Sequence, residues 1–211
     1  MIFGRWFHAN HLLILQRQDS IINSFAERAA VRHDLGESNL LEYIITEVKD
    51  GQLTLKVKKG ANLKPSSWDD GIRITVPIER IEAVKLSGSG DIVSKTTLKA
   101  NNFSTALSGS GDITLDIECD AIDASMSGSG DINLSGSTRD FEVRISGSGD
   151  VEAYDLKAEN VDATISGSAD IQVTATKMLK ARVSGSGDIS YRGNPEKVDT
   201  KASGSGDISK G

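Results

Sequence analysis

Cysteine is nearly absent from this sequence. Cys119 stands alone, which excludes an intrachain disulfide framework and any cysteine-based zinc site. Histidine stops at His33, so no Ser-His-Asp relay can be assembled from later residues. Aromatic residues are 5% of the chain and apolar residues 37%, too few for a thick core. No apolar run approaches the ~20 residues of a membrane-spanning helix. Near the start, Arg5 precedes a four-residue apolar run, Leu12–Leu15, too short for a signal-peptide core, so no signal peptide is visible. Acidic side chains outnumber basic ones by 30 to 24, a formal charge of −6, which argues against a nucleic-acid partner.

Glycine is what the chain has in excess, with 21 residues and no three-residue period, so collagen is excluded. Thirteen of the 21 lie in one motif, S-G-S-G-D followed by Ile or Val. It occurs at Ser87–Ile92, Ser108–Ile113, Ser127–Ile132, Ser146–Val151, Ser184–Ile189 and Ser203–Ile208. A seventh copy, Ser166–Ile171, carries Ala169 in place of the second glycine. Successive copies are 21, 19, 19, 20, 18 and 19 residues apart. A period near 19 marks a stacked repeat, and the L-x-x-L-x-L skeleton of leucine-rich repeats is missing.

Within each repeat the apolar residues alternate. The position before the first serine is Leu86, Leu107, Met126, Ile145, Ile165, Val183 or Ala202, and the position after the aspartate is always Ile or Val. Period two marks strands with one buried face. Carried through the motif, this parity turns both glycines inward and both serines and the aspartate outward. Ala169 favours that reading over a left-handed turn, because alanine disfavours positive φ. One coil per repeat, stacked at ~4.8 Å, gives an all-β parallel solenoid, a rod of roughly 35 Å over seven coils. The chain divides into residues 1–36, an atypical segment, and residues 37–211, the solenoid domain. Within that domain, 37–84 supply lead-in strands and 85–211 the seven coils. In the first segment, Leu12, Leu13, Leu15, Ile21, Ile22, Phe25 and Ala29 fall on a helical stripe, so a helix is expected over 11–32, with disorder the alternative. A helix there could cap the first coil. The segment Gly60–Gly71, with Pro65 and Trp68, reads as a loop.

These residues resemble the family described as "putative auto-transporter adhesin, head GIN domain". The resemblance rests on the reiterated S-G-S-G-D-I, on the stretch Asn39–Gly60 and on Ile72–Ile92, and it covers about residues 37–211. It implies a right-handed parallel β-helix-like fold, a cell-envelope or extracellular setting, and a structural or adhesive surface module with no enzymatic activity. The implied partner is a surface carbohydrate, a protein or another copy of the chain. Residues 1–36 depart from the family pattern.

Several constellations could carry chemistry. Asp91, Asp112, Asp131, Asp150, Asp170, Asp188 and Asp207 stand in one column and could hold Ca²⁺. The simpler reading is structural: like charges ~4.8 Å apart in water repel by only about 0.9 kcal/mol, and each carboxylate can accept neighbouring amides. We therefore expect no metal, no cofactor and no catalytic residue. A calcium-dependent or carbohydrate-binding module is the alternative, and a polysaccharide-active enzyme the weakest reading. An enzyme needs a coil that breaks the repeat with clustered charges, and Arg139–Arg144 with Asp140 and Glu142 comes nearest. The serines read as a structural ladder, and the Gly-x-Gly pairs lack the lysine and helix of a phosphate loop. His8, His11 and His33 read as inert, Trp68 and Tyr43 as ordinary aromatics, and Cys119 as a small apolar filler.

Overall fold

The computed structural model describes residues 2–6, 12–16, 32–35, 42–59, 61, 72–78 and 80–211. For residues 2–6, 12–16, 32–35, 72 and 73 only the backbone is described. The architecture is all-β, with no helix among the described residues.

The coils follow the sequence period. Strands β7 (Ala83–Gly88), β8 (Asp91–Ser94), β9 (Leu98–Lys99) and β10 (Asn102–Gly109) begin the solenoid. Long bent strands β11 (Ile113–Gly128), β12 (Ile132–Ile145), β13 (Val151–Gly167) and β14 (Ile171–Gly185) form its middle. Strands β15 (Ile189–Arg192), β16 (Lys197–Gly204) and β17 (Ile208–Lys210) end it. Neighbouring coils pair in parallel, and the register places Ile92, Ile113, Ile132, Val151, Ile171, Ile189 and Ile208 in one column. All are buried except Ile208, which is half-buried at the end of the rod. A second column runs Leu86, Leu107, Met126, Ile145, Ile165, Val183 and Ala202. Fully burying one such Ile or Leu side chain is worth about 1.5–3 kcal/mol, so a narrow stack suffices. Inside β11 the alternation changes phase between Ile117 and Ile122, where the chain turns from one face of the coil to the other.

The lead-in strands extend both faces. Strands β1 (Ile2–Trp6), β2 (Leu12–Gln16), β3 (Arg32–Leu35), β4 (Ile44–Lys49), β5 (Gln52–Val57) and β6 (Ile72–Val76) are all paired antiparallel. β2 lies between β5 and β7, and β1 between β6 and β8. The free edges of the first coil are thereby closed. The helix expected over 11–32 is overturned where Leu12–Gln16 forms β2; residues 17–31 lie outside the described ones. A four-residue apolar run serves a buried strand as well as a helix, and the open edges of β5 and β7 require a partner. Residues 2–6 and 12–16 therefore cap the first coil with strands. Of the expected loop Gly60–Gly71, only Ala61 is described.

Candidate functional site

The repeated motif forms one corner of each coil, and its two glycines do different things there. The second glycine faces inward and is buried from Gly90 to Gly187, with Ala169 at the same place. An added Cβ on Gly130 would lie 1.9 Å from the Gly111 carbonyl oxygen, so backbone stacks directly on backbone. The first glycine also stacks on its predecessor but adopts positive φ in six of the seven copies, Gly147 excepted, with 117° at Gly88 and 136° at Gly109. The inward parity is as expected for both. The preference against left-handed backbone applies only to the second, where Ala169 sits. The corner needs the glycine conformation at the first.

The aspartates are held by this corner. Asp131 N–H donates to Asp112 Oδ1 at 3.0 Å, and Asp150, Asp170, Asp188 and Asp207 each repeat the contact to the aspartate below at 2.8–3.0 Å. The carbonyl of each aspartate from Asp112 to Asp207 accepts the amide of the Ile or Val one coil below, as from Ile113 to Asp131 at 2.9 Å. The carboxylates from Asp112 to Asp188 thus supply an acceptor that the backbone at the corner does not. Among the described residues no three His, Cys, Asp or Glu side chains gather as a metal cluster.

The serines of the motif are different. From Ser108 to Ser205 all twelve are exposed, and their hydroxyls make no hydrogen bond to the protein among the described residues. They form two ranks, one spanning Ser108, Ser127, Ser146, Ser166, Ser184 and Ser203, the other Ser110 to Ser205. The first rank runs into a hollow of about 310 Å³ bounded by Lys85, Ala106, Ser108, Ser125, Met126 and Ser127. Sequence reasoning missed this hollow. Its signal is the outward column Lys85, Ala106, Ser125, Arg144, Thr164, Arg182, Lys201, which is small only at Ala106 and Ser125.

The charged stretch Arg139–Arg144 lies beside a second hollow of about 350 Å³, lined by Glu82, Asn102, Ser104, Asp123, Asp140 and Glu142 among others. Three of its four carboxylates, Asp123, Asp140 and Glu142, are already engaged. Arg144 pairs with Asp123 at 3.2 Å and with Glu142, and Arg139 with Asp140 at 2.9 Å. The Asn160 amide and the Arg139 guanidinium hold the Asp140 carboxyl below its usual range. Further ion pairs cross neighbouring coils, Lys180 to Asp162 at 2.7 Å and Lys177 to Glu159 at 2.7 Å.

Cys119 is half-buried, its sulfur 3.3 Å from the Ala121 carbonyl and 3.8 Å from Thr138 Oγ1, and burial pushes its thiol pKa up. Tyr43 packs partly buried against the core. His8, His11 and Trp68 lie outside the described residues, and His33 is described only as backbone of β3.

The model of the family described as "putative auto-transporter adhesin, head GIN domain" matches residues 35–195. The chain belongs to this family. Solved structures similar to this GIN head domain come from Bacteroides and Parabacteroides. A putative adhesin from Bacteroides fragilis NCTC 9343 is 27% identical with a TM-score of 0.72, over 82% of this chain and 78% of that one. A putative lipid binding protein from Parabacteroides distasonis ATCC 8503 is also 27% identical, with a TM-score of 0.66 over 83% and 82%. A putative adhesin from Parabacteroides merdae ATCC 43184 shares the fold at 22% identity, with a TM-score of 0.65 over 83% and 81%. No curated protein matches the chain. No helix among the described residues is long and apolar enough to cross a membrane. Family membership points to the cell envelope or surface for this GIN head domain.

Proposed function

We propose that this GIN head domain is a non-enzymatic adhesive module that binds a neutral polysaccharide along its serine ranks. The observation that carries this reading is the pair of exposed hydroxyl ranks, free of protein partners, that leads into the hollow at Lys85, Ala106 and Ser125. A serine hydroxyl donates and accepts, as sugar hydroxyls do. Repeated at every coil, weak contacts sum by effective concentration. The formal charge of −6 and the exposed aspartate column disfavour an anionic polymer.

The test is binding of the purified chain to an array of immobilised neutral glycans. The comparison is a variant with Ser108, Ser110, Ser127 and Ser129 all changed to alanine. The wild-type chain is expected to retain one or more neutral glycans, and the variant to lose at least about tenfold in affinity, ~1.4 kcal/mol. Equal binding by a folded variant, or no neutral glycan retained, overturns the proposal.

A further inference from the structure

One face of the rod is uneven along its length. It is built by β7, β10, the second halves of β11 to β14, and β16, whose outward residues stand in columns by register. On the coils of β10 and β11 most outward side chains are small: Ser104 and Ala106, then Ala121 and Ser125 on either side of Asp123. Both hollows lie here, and the carboxylates of Glu82, Asp123, Asp140 and Glu142 line the second. On the coils of β14 and β16 the same columns hold Met178, Lys180 and Arg182, then Lys197 and Lys201. Met178 is 41% exposed. Lys197 and Lys201 make no ion pair among the described residues. The face is therefore low and acidic toward one end, tall and basic toward the other.

We propose that this face docks against the same face of a second copy of the chain, with the two rods antiparallel. The two-fold axis runs along the strands, between the coils of β12 and β13. A two-fold contact needs a self-complementary surface. With the rods parallel each coil would face itself, basic on basic and acidic on acidic. Antiparallel, each outward column faces itself in reverse. Met178 then opposes Ala121 and fills the second hollow, while Lys180 opposes Asp123. Arg182 opposes Ser125 and Lys201 opposes Ala106, both at the first hollow. Lys197 opposes Asn102, which lines the second hollow together with Glu82. Every contact occurs twice. The like charges that meet, Glu142 and Asp162, are already paired with Arg144 and Lys180 in their own chain. Other positions of the axis are worse. Half a coil either way sets Arg144 on its own copy or on Arg182. A whole coil either way sets Lys85 on Arg182 or Arg144 on Lys201. Such juxtapositions cost affinity. Six coils at ~4.8 Å by four outward columns cover about 700 Å² on each copy, close to the ~800 Å² a side of a standard interface. A second copy seated here covers the hollow at Ala106 and Ser125, so docking and glycan binding exclude each other there.

Sedimentation equilibrium of the full chain from micromolar to millimolar concentration tests this. The wild-type mass should rise to twice 22.5 kDa. Asp123→Lys sets lysine against Lys180, and Lys180→Glu sets glutamate against Asp123. Each should weaken dimerisation by about tenfold or more, ~1.4 kcal/mol. The double variant Asp123→Lys, Lys180→Glu should restore it. Ala106→Lys sets lysine against Lys201, leaves the ion pairs within the chain intact, and should also give monomers. It decides the matter should a charge variant not fold. A wild-type chain that stays monomeric overturns the proposal. So does a folded Asp123→Lys, Lys180→Glu or Ala106→Lys chain that dimerises like wild type, or a charge swap that fails to restore the dimer.

Discussion

Gly130 has room for a hydrogen and for nothing larger. A Cβ there would meet the Gly111 carbonyl at 1.9 Å, and that carbonyl belongs to backbone that cannot swing away. Gly130→Val is therefore expected to cost about 2 kcal/mol or more, in the range of overpacked cores. Ser129→Val, one residue earlier and exposed, should cost less than about 1 kcal/mol. Urea melts of the two variants compare them, and equal losses contradict the stacking argument. Thr105 makes the opposite case. It is 1% exposed, it stands between Val84 and Ala124 in an inward column, and its hydroxyl has no hydrogen-bond partner. Thr105→Val removes a buried unsatisfied hydroxyl at nearly constant shape and should raise stability by about 1 kcal/mol. A lower midpoint than wild type in the same melts refutes this. The inward residues of the coils were legible in the sequence because two periods coincide, two along a strand and about 19 between coils. The positive φ of the first glycine was not. The alanine substitution that argued against it occurs only at the second glycine, and says nothing about its neighbour.

At the scale of the coil, the aspartate is a corner fitting. From coil to coil it passes one carboxylate oxygen to the amide of the next aspartate, and so joins coils that the ladder alone leaves unjoined at that point. An oxygen engaged in this way is withdrawn from a cation, which needs six to eight oxygen ligands. Excess EDTA should therefore leave the melting temperature unchanged within error. A drop with EDTA that Ca²⁺ reverses would turn the column into a cation site. The lead-in strands were less legible than the coils. β2 takes partners around Leu53 and Val84, some 40 and 70 residues along the chain, with no repeat to announce them. Its apolar run fits either kind of element, and only the unpaired edges of β5 and β7 decide for a strand. The hydroxyl ranks were visible as serines in the sequence. That they stand free of protein partners depends on how the corner bends, which no spacing rule reveals.

Across the whole molecule, stability runs along the stack. Each coil contacts its neighbours, so an end must be closed or be marginal. β1 and β2 close one end, and removal of residues 1–16 is expected to expose the edges of β7 and β8. The shortened chain should melt at lower temperature and gain mass by association in light scattering. A truncated chain that is monomeric and as stable as the full one would exclude the capping role. Ion pairs such as Lys180–Asp162 add little individually at an exposed surface. Their value lies in register, because a slip by one residue would turn charged side chains toward the columns.

The closure of the first coil also gives the rod a reinforced end under load. Inter-coil hydrogen bonds lie along its axis, so tension between the chain termini pulls on them lengthwise. At the first coil the antiparallel strands fold back over β7 and β8 and share the force across several ladders. Between the coils that follow, each strand holds its neighbour by one ladder at a time. A coil pulled free releases about 65 Å of extended chain for its ~19 residues. A stack of this construction yields gradually, lengthening under strain while its remaining coils stay folded.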